Sequence, residues 1–275
     1  MRHHDGRFAG SLGETYWQAW TPDDDPTSVV LLVHGAAEHT GRYVELAEKL
    51  VYADHAVYGV DHHGHGRSDG KQGNLGRMSG VVADLDSLRR IAEYAHPDVP
   101  VFILGHSLGG LIALDYLVTK GQDGIAGVVL SGAAVDPSVG SAIERAMAPV
   151  LSALVPNLPI VDLGADNISR DLDVVATYRA DPLVYHGRIR ARTGAEVLSA
   201  ISRVSAGLPS LTLPVLVLHG GADAIAAPSG AQLVHDTIGS PDNTLRIYDG
   251  LFHEIFNEPE KDDVIADVLS WLDAH

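Results

Sequence analysis

The 275-residue chain contains no cysteine. That excludes a disulfide framework, a thiolate nucleophile, a Cys-ligated zinc and an iron–sulfur cluster. Positive charge is scarce: 19 Lys and Arg stand against 36 Asp and Glu, for a formal net charge of -17. A surface that displaces counterions from phosphates must be basic, so the balance argues against a nucleic-acid partner. It argues equally against electrostatic docking on anionic lipid. Long apolar runs are missing too. No window holds the ~18 uninterrupted apolar residues of a membrane span. The nearest stretch, Ala146 to Val161, is broken by Pro149, Ser152, Pro156, Asn157 and Pro159. The opening MRHHDGRFAGSLGE lacks the apolar segment of a signal peptide. The expectation is a cytoplasmic protein, at most peripheral to a membrane. His3 and His4 without an acidic partner make half a metal site, and the segment reads as a frayed polar terminus.

What the chain has in quantity is glycine, 29 residues, and histidine, 15. Glycine in such number suggests tight turns at strand ends. Buried-strand patterns recur: Ser28 to His34, Ala56 to Asp61, Val99 to Gly105, Gly127 to Gly132, Leu213 to His219 and Thr244 to Tyr248. Ser28 to His34 is a continuous apolar run, the mark of a strand covered on both faces, and the others are further strand candidates. Thr15 to Trp20 is aromatic and β-prone. Helical spacing appears at Tyr43 to Ala53, Val81 to Tyr94, Leu111 to Thr119 and Asp262 to Leu272. The alternation predicts an α/β fold with a mostly parallel sheet and helices on both faces. Residues 134–191 break the rhythm, with prolines and helical fragments at Val139 to Ala148 and Leu172 to Tyr178. They are expected to be an inserted cap, between core segments 1–133 and 192–275.

Gly105-His106-Ser107-Leu108-Gly109 fits G-x-S-x-G, directly after a strand and directly before a helix. That context is what a nucleophile elbow requires. The glycines leave room where the strained turn brings chain segments together. A serine elbow needs two backbone N–H groups for the developing oxyanion. Leu108, the residue after the serine, supplies one. Ala36, in the His34-Gly35-Ala36-Ala37 turn, is the candidate for the other.

A serine hydroxyl needs a base, and the base an orienting carboxylate. Asp223 and His253 both lie just past strand ends, on the same rim as Ser107. The order Ser107, Asp223, His253 is that of α/β-hydrolases. Asp249 is the rival acid, but lies close to His253 in the chain. The cluster His62, His63, His65 offers no complete ligand set, so no metal and no cofactor are expected. His106 is placed either to touch a bound alcohol or to support the elbow.

At this point the chain resembles the monoacylglycerol lipase family, the Hydrolase_4 or lysophospholipase-like serine hydrolases. The matching pieces are HGAAEHTGRY at 34–43, DHHGHGRSDG at 61–70, GHSLGG at 105–110, TYRADPLVYHG at 177–187, HGGADAIAAPSG at 219–230 and YDGLFHEIFNE at 248–258. The resemblance runs from about Phe8 to the end. It implies the α/β-hydrolase fold, Ser107 as nucleophile, Asp223 as acid, His253 as base, and Ala36 and Leu108 as oxyanion donors. It also implies a polar network behind the oxyanion loop at Glu38 and Arg42, and a tyrosine near the alcohol end at Tyr178. Two departures stand out: Ala37 precedes Glu38 where many members have Gly, and Leu108 replaces Met. Neither removes a backbone N–H. The implied substrate is a small lipid ester, monoacylglycerol before lysophospholipids or general carboxylesters. The apolar residues of the cap, among them Ile143, Met147, Val150, Leu154 and Ile160, would form a mouth for an acyl chain that touches a membrane or micelle surface. Oligomeric state stays open.

Overall fold

A computed structural model describes residues 1–162 and 164–275. Leu163, inside the expected cap, lies outside the described residues. The chain opens with β1 (Arg2–Gly10), β2 (Gly13–Thr21) and β3 (Ser28–Val33), followed by α1 (Val44–Tyr52) and β4 (His55–Val60). Next come α2 (Met78–Ala95), β5 (Val101–His106), α3 (Leu108–Lys120) and β6 (Gly127–Ser131). The inserted cap carries α4 (Ala142–Leu154), β7 (Pro159–Val161), α5 (Leu172–Ala180) and β8 (Ile189–Arg190). The core resumes with α6 (Ala191–Gly207), β9 (Val215–Gly220), α7 (Pro228–Thr237), β10 (Asn243–Tyr248) and α8 (Lys261–Leu272).

Eight strands form one sheet in the order β1-β2-β4-β3-β5-β6-β9-β10. β2 runs antiparallel to both β1 and β4, and every other pairing is parallel. This is the mostly parallel sheet that the alternation of strands and helices predicted, with the α/β-hydrolase fold that the resemblance implied. The six residues of β3 are all buried, and the pleat divides them. Val29, Leu31 and Val33 join the core under α2, α3, α6 and α7. Val30 and Leu32 join the core under α1 and α8. The parallel strands therefore end on one rim, where open α/β folds place their sites. Ser107, Asp223 and His253 follow β5, β9 and β10 on that rim.

The N-terminus departs from expectation. Residues 2–10 are an edge strand in register with β2, from Arg2 opposite Thr21 to Gly10 opposite Gly13. Its side chains are largely exposed, so backbone pairing holds it and no apolar alternation announces it. His3 bonds Gln18 at 3.1 Å. Helices α6 and α7 also lacked a sequence-level assignment. The serines, glycines and threonine of α6 favour helix weakly, and its packing on α3 and α4 supplies the rest. Among the described residues no helix is long and apolar enough to cross a membrane.

Candidate active site

β5 ends at His106 and α3 begins at Leu108, which leaves Ser107 alone at the corner. Its backbone sits at φ 53° and ψ -118°. A non-glycine residue there stores roughly 1–3 kcal/mol of strain. Four bonds hold it: Ser107 N–H donates to the Ser131 carbonyl at 2.8 Å, and its own carbonyl accepts from Gly110 at 3.0 Å, Ala134 at 3.1 Å and Leu111 at 3.3 Å. The flanking glycines are sterically required. A Cβ on Gly105 would meet the Gly109 carbonyl at 2.5 Å, and one on Gly109 would run into the Val33 carbonyl.

His253 lies beside this corner. Its ring centroid is 4.7 Å from that of His106, and a Cβ on Gly132 would come within 3.3 Å of its ring. His253 Nδ1–H donates to Asp223 Oδ2 at 2.7 Å. The other carboxylate oxygen accepts from the Ile225 and Ala226 backbone at 2.8 and 3.0 Å. Burial alone would raise the Asp223 carboxyl, but hydrogen bonds from His219 and His253 outweigh it and hold the group far below the usual range. Asp249, the rival acid, is exposed. His106 Nδ1 lies 3.2 Å from Ser131 Oγ. Burial, then the neighbouring His253, push the His106 imidazole down to about 3.

The turn after β3 is pinned peptide by peptide. His34 Nδ1–H donates to the Gly35 carbonyl at 2.8 Å. Gly35 N–H donates to Glu38 Oε1 at 2.6 Å, and the Ala37 carbonyl accepts from Tyr185 at 2.8 Å. The backbone N–H groups of Ala36 and Leu108 have no acceptor among the described residues. A Cβ on Gly35 would lie 3.2 Å from Ser107 Cβ, so the turn abuts the elbow. Two free N–H groups beside a serine can receive a developing oxyanion, and an imidazole held by a carboxylate can take the serine's proton.

Behind the turn, Glu38 accepts from Arg42 and from the Tyr43 hydroxyl, both at 2.6 Å. The Arg42 guanidinium then grips Glu254 with two bonds of 2.7 Å. Although desolvated, it is held in its charged form by Glu254 and Glu38. The Tyr178 ring stacks over it at 4.6 Å, and burial raises the Tyr178 phenol. Arg42 thus links the turn carrying Ala36 to the loop carrying His253. Glu254 was not foreseen. Its signal was indirect: Glu38 alone leaves most of the donors of Arg42 unused.

The histidines of the 61–65 segment are structural partners. His34 Nε2 accepts from His62 N–H at 3.0 Å, and His62 Nε2–H donates to the His34 carbonyl at 3.1 Å. Burial, then the charge of His65, push His62 down to about 3. Among the described residues no group of three or more His, Cys, Asp or Glu could hold a metal ion.

The sheet order and the serine corner define an α/β-hydrolase. Residues 24–260 match the family model Hydrolase_4, described as serine aminopeptidase, S33, and the chain belongs to that family. It is 42% identical over 270 residues to a monoacylglycerol lipase of Mycolicibacterium smegmatis, covering 98% of this chain and 96% of that one. It is 36% identical over 258 residues to a monoglyceride lipase of Homo sapiens, covering 92% of this chain and 84% of the other. The crystal structure of the Paleococcus ferrophilus monoacylglycerol lipase superposes with a TM-score of 0.82 at 33% identity, covering 99% and 98% of the two chains. The chain is a serine hydrolase of the class that acts on lipid and carboxyl esters.

Proposed function

We propose that this protein hydrolyses monoacylglycerols to glycerol and free fatty acid through an acyl-enzyme on Ser107. His253 takes the hydroxyl proton as Ser107 attacks the ester carbonyl. The tetrahedral oxyanion rests on the Ala36 and Leu108 N–H groups, each worth about 3 kcal/mol to the transition state. His253 returns the proton to the departing alcohol and then activates water against the acyl-enzyme. Asp223 keeps the imidazole in the Nδ1–H tautomer and stabilises its cation without taking the proton. The observation that carries this reading is the 2.7 Å His253–Asp223 bond beside a serine held at positive φ.

The substrate assignment has a physical support of its own. Glu38 and Glu254 place two carboxylates against the one guanidinium of Arg42 beside the site. That excess negative charge disfavours a phosphate headgroup and leaves a neutral ester unopposed. The closely related monoacylglycerol lipases point the same way. We take residues 134–191 as the cap, and its exposed α4 face as the surface that meets a micelle or bilayer.

A hydrolysis panel tests the reading: monoacylglycerols of several chain lengths, a diacylglycerol, a lysophospholipid and p-nitrophenyl esters, with Ser107→Ala as blank. Monoacylglycerol should lead, and the blank should be inactive and resist fluorophosphonate labelling. Activity surviving in Ser107→Ala ends the mechanism. A tenfold preference for lysophospholipid ends the substrate assignment and leaves a lysophospholipase. Equal rates on all esters leave a general carboxylesterase.

A further inference from the structure

One buried histidine touches the proposed catalytic acid and has no place in the mechanism above. His219, the fifth residue of β9, is fully enclosed. Its Nε2 lies 3.0 Å from Asp223 Oδ2, the oxygen that also receives His253. The same Nε2 lies 2.9 Å from the Ala226 carbonyl. Its Nδ1 is buried with no hydrogen-bond partner.

These contacts fix the proton. Two acceptors lie near Nε2 and none faces Nδ1, so the ring carries its hydrogen on Nε2, bonded to the Ala226 carbonyl with Asp223 Oδ2 3.0 Å away. The ring therefore brings a donor to the acid without bringing a charge. Asp223 then has three hydrogen-bond donors, His253 on Oδ2 and Ile225 and Ala226 on Oδ1, and the His219 Nε2–H edge lies against Oδ2 at 3.0 Å. The backbone pair fixes one end of the carboxylate. The other end would otherwise rest on His253 alone, the ring that must move charge during reaction.

The surrounding chain is built to the same end. A Cβ on Gly220 would collide with the Phe252 carbonyl. Gly221 N–H donates to Tyr248 at 2.7 Å, and Ala222 N–H to Leu251 at 2.9 Å. The end of β9 is thereby stitched to the loop that presents His253, and His219 ties that stitched segment to the acid itself.

We infer that His219 is a positioning residue for the Ser107–His253–Asp223 reaction, holding Asp223 Oδ2 in line for His253 as a neutral donor. The inference rests on the triad reading of the site. It predicts that the donor matters and the imidazole does not. Gln reaches about as far and offers an N–H near the Nε2 position, whereas Leu fills the space and offers none.

The experiment uses His219→Gln and His219→Leu, each measured for kcat and KM on a p-nitrophenyl ester, fluorophosphonate labelling rate, and melting temperature. His219→Leu should lose about tenfold or more in kcat and in labelling rate, the typical effect of removing one bond to a charged group. Its KM should stay within about twofold, and His219→Gln should recover most of the loss. A second arm adds His219→Leu to Asp223→Ala. If His219 acts through the acid, the double variant should label no more slowly than Asp223→Ala alone. The inference is overturned if His219→Leu keeps wild-type rates, if Gln and Leu lose activity equally and in step with melting temperature, or if the losses multiply in the double variant. Failure of the triad itself reads differently: Ser107→Ala would still take up the fluorophosphonate.

Discussion

β3 and α4 are both rich in aliphatic residues, yet they meet opposite surroundings. Every residue of β3 is buried. In α4 only Ser152 is, while Ile143 and Leu154 are each 76% exposed. The difference does not come from disorder in the pattern. Ile143, Met147, Val150 and Leu154 follow a four-three-four spacing and share one helix face, and a Ser141–Glu144 capping box starts the helix. The face is organised and turned outward. What β3 has and α4 lacks is an element on each side: β4 and β5 flank β3, with helices above and below. Aliphatic composition promises burial only where neighbours exist to cover it.

The cap is itself divided by this test. Its second half is tied to the catalytic rim. His39 bonds Asp181 at 2.9 Å, Tyr185 reaches the Ala37 carbonyl, Ile168 accepts from Glu254, and Tyr178 covers Arg42. Its first half carries α4 and the exposed β7.

The largest break in the contrast should come at the tie itself. Arg42→Met leaves Glu38 and Glu254 buried without their cation, at a cost of about 3–5 kcal/mol. Urea unfolding measures it, and a loss under about 1 kcal/mol would mean that the carboxylates find water instead. Next comes the sheet. Leu31→Ala, fully buried between the helical layers, should cost about 2–5 kcal/mol by the same assay.

Acid should act on the core. His34, His62 and His106 are held neutral by burial, the last two down to about 3. Unfolded, each titrates near 6.5. Between those values the unfolded chain binds protons that the folded chain refuses, so stability falls as pH falls. Near pH 5 each such ring contributes about 1.4 kcal/mol per pH unit. His62→Gln should flatten the slope of stability against pH between 6 and 4.5 by about that amount, and an unchanged slope would mean that the ring is not held neutral. The smallest stability effect belongs to α4. Leu154→Ala should change folding by under about 0.5 kcal/mol. If α4 is the lipid-facing surface, Leu154→Asp should weaken sedimentation with neutral lipid vesicles and leave turnover of a soluble ester intact. Unchanged sedimentation would remove that role.

The pattern of what the sequence revealed follows the same division. β3, β5, β6 and β9 were visible because strands covered on both faces are written as unbroken apolar runs. Ser107 and Asp223 stood out as candidates because each follows such a run, and His253 because it follows β10, whose polar Thr244 and Arg246 leave it half-exposed. β1 was not visible, since an exposed edge strand needs only its backbone. Glu254 and His219 were hidden for another reason. Arg42 meets Glu254 from 212 residues away, and nothing in the apolar run of β9 records that the His219 ring turns toward Asp223 four residues on.

The backbone of Ser107 has a consequence for how such a chain can change. Ser107, the proposed nucleophile, occupies a conformation that non-glycine residues resist. Ser107→Gly would relieve the backbone strain of that corner and remove the hydroxyl that the proposed mechanism acylates. At this position the conformation that favours the fold and the side chain that the proposed chemistry needs pull in opposite directions. The bond to the Ser131 carbonyl and those from Gly110 and Ala134 hold the serine in the corner against its own preference.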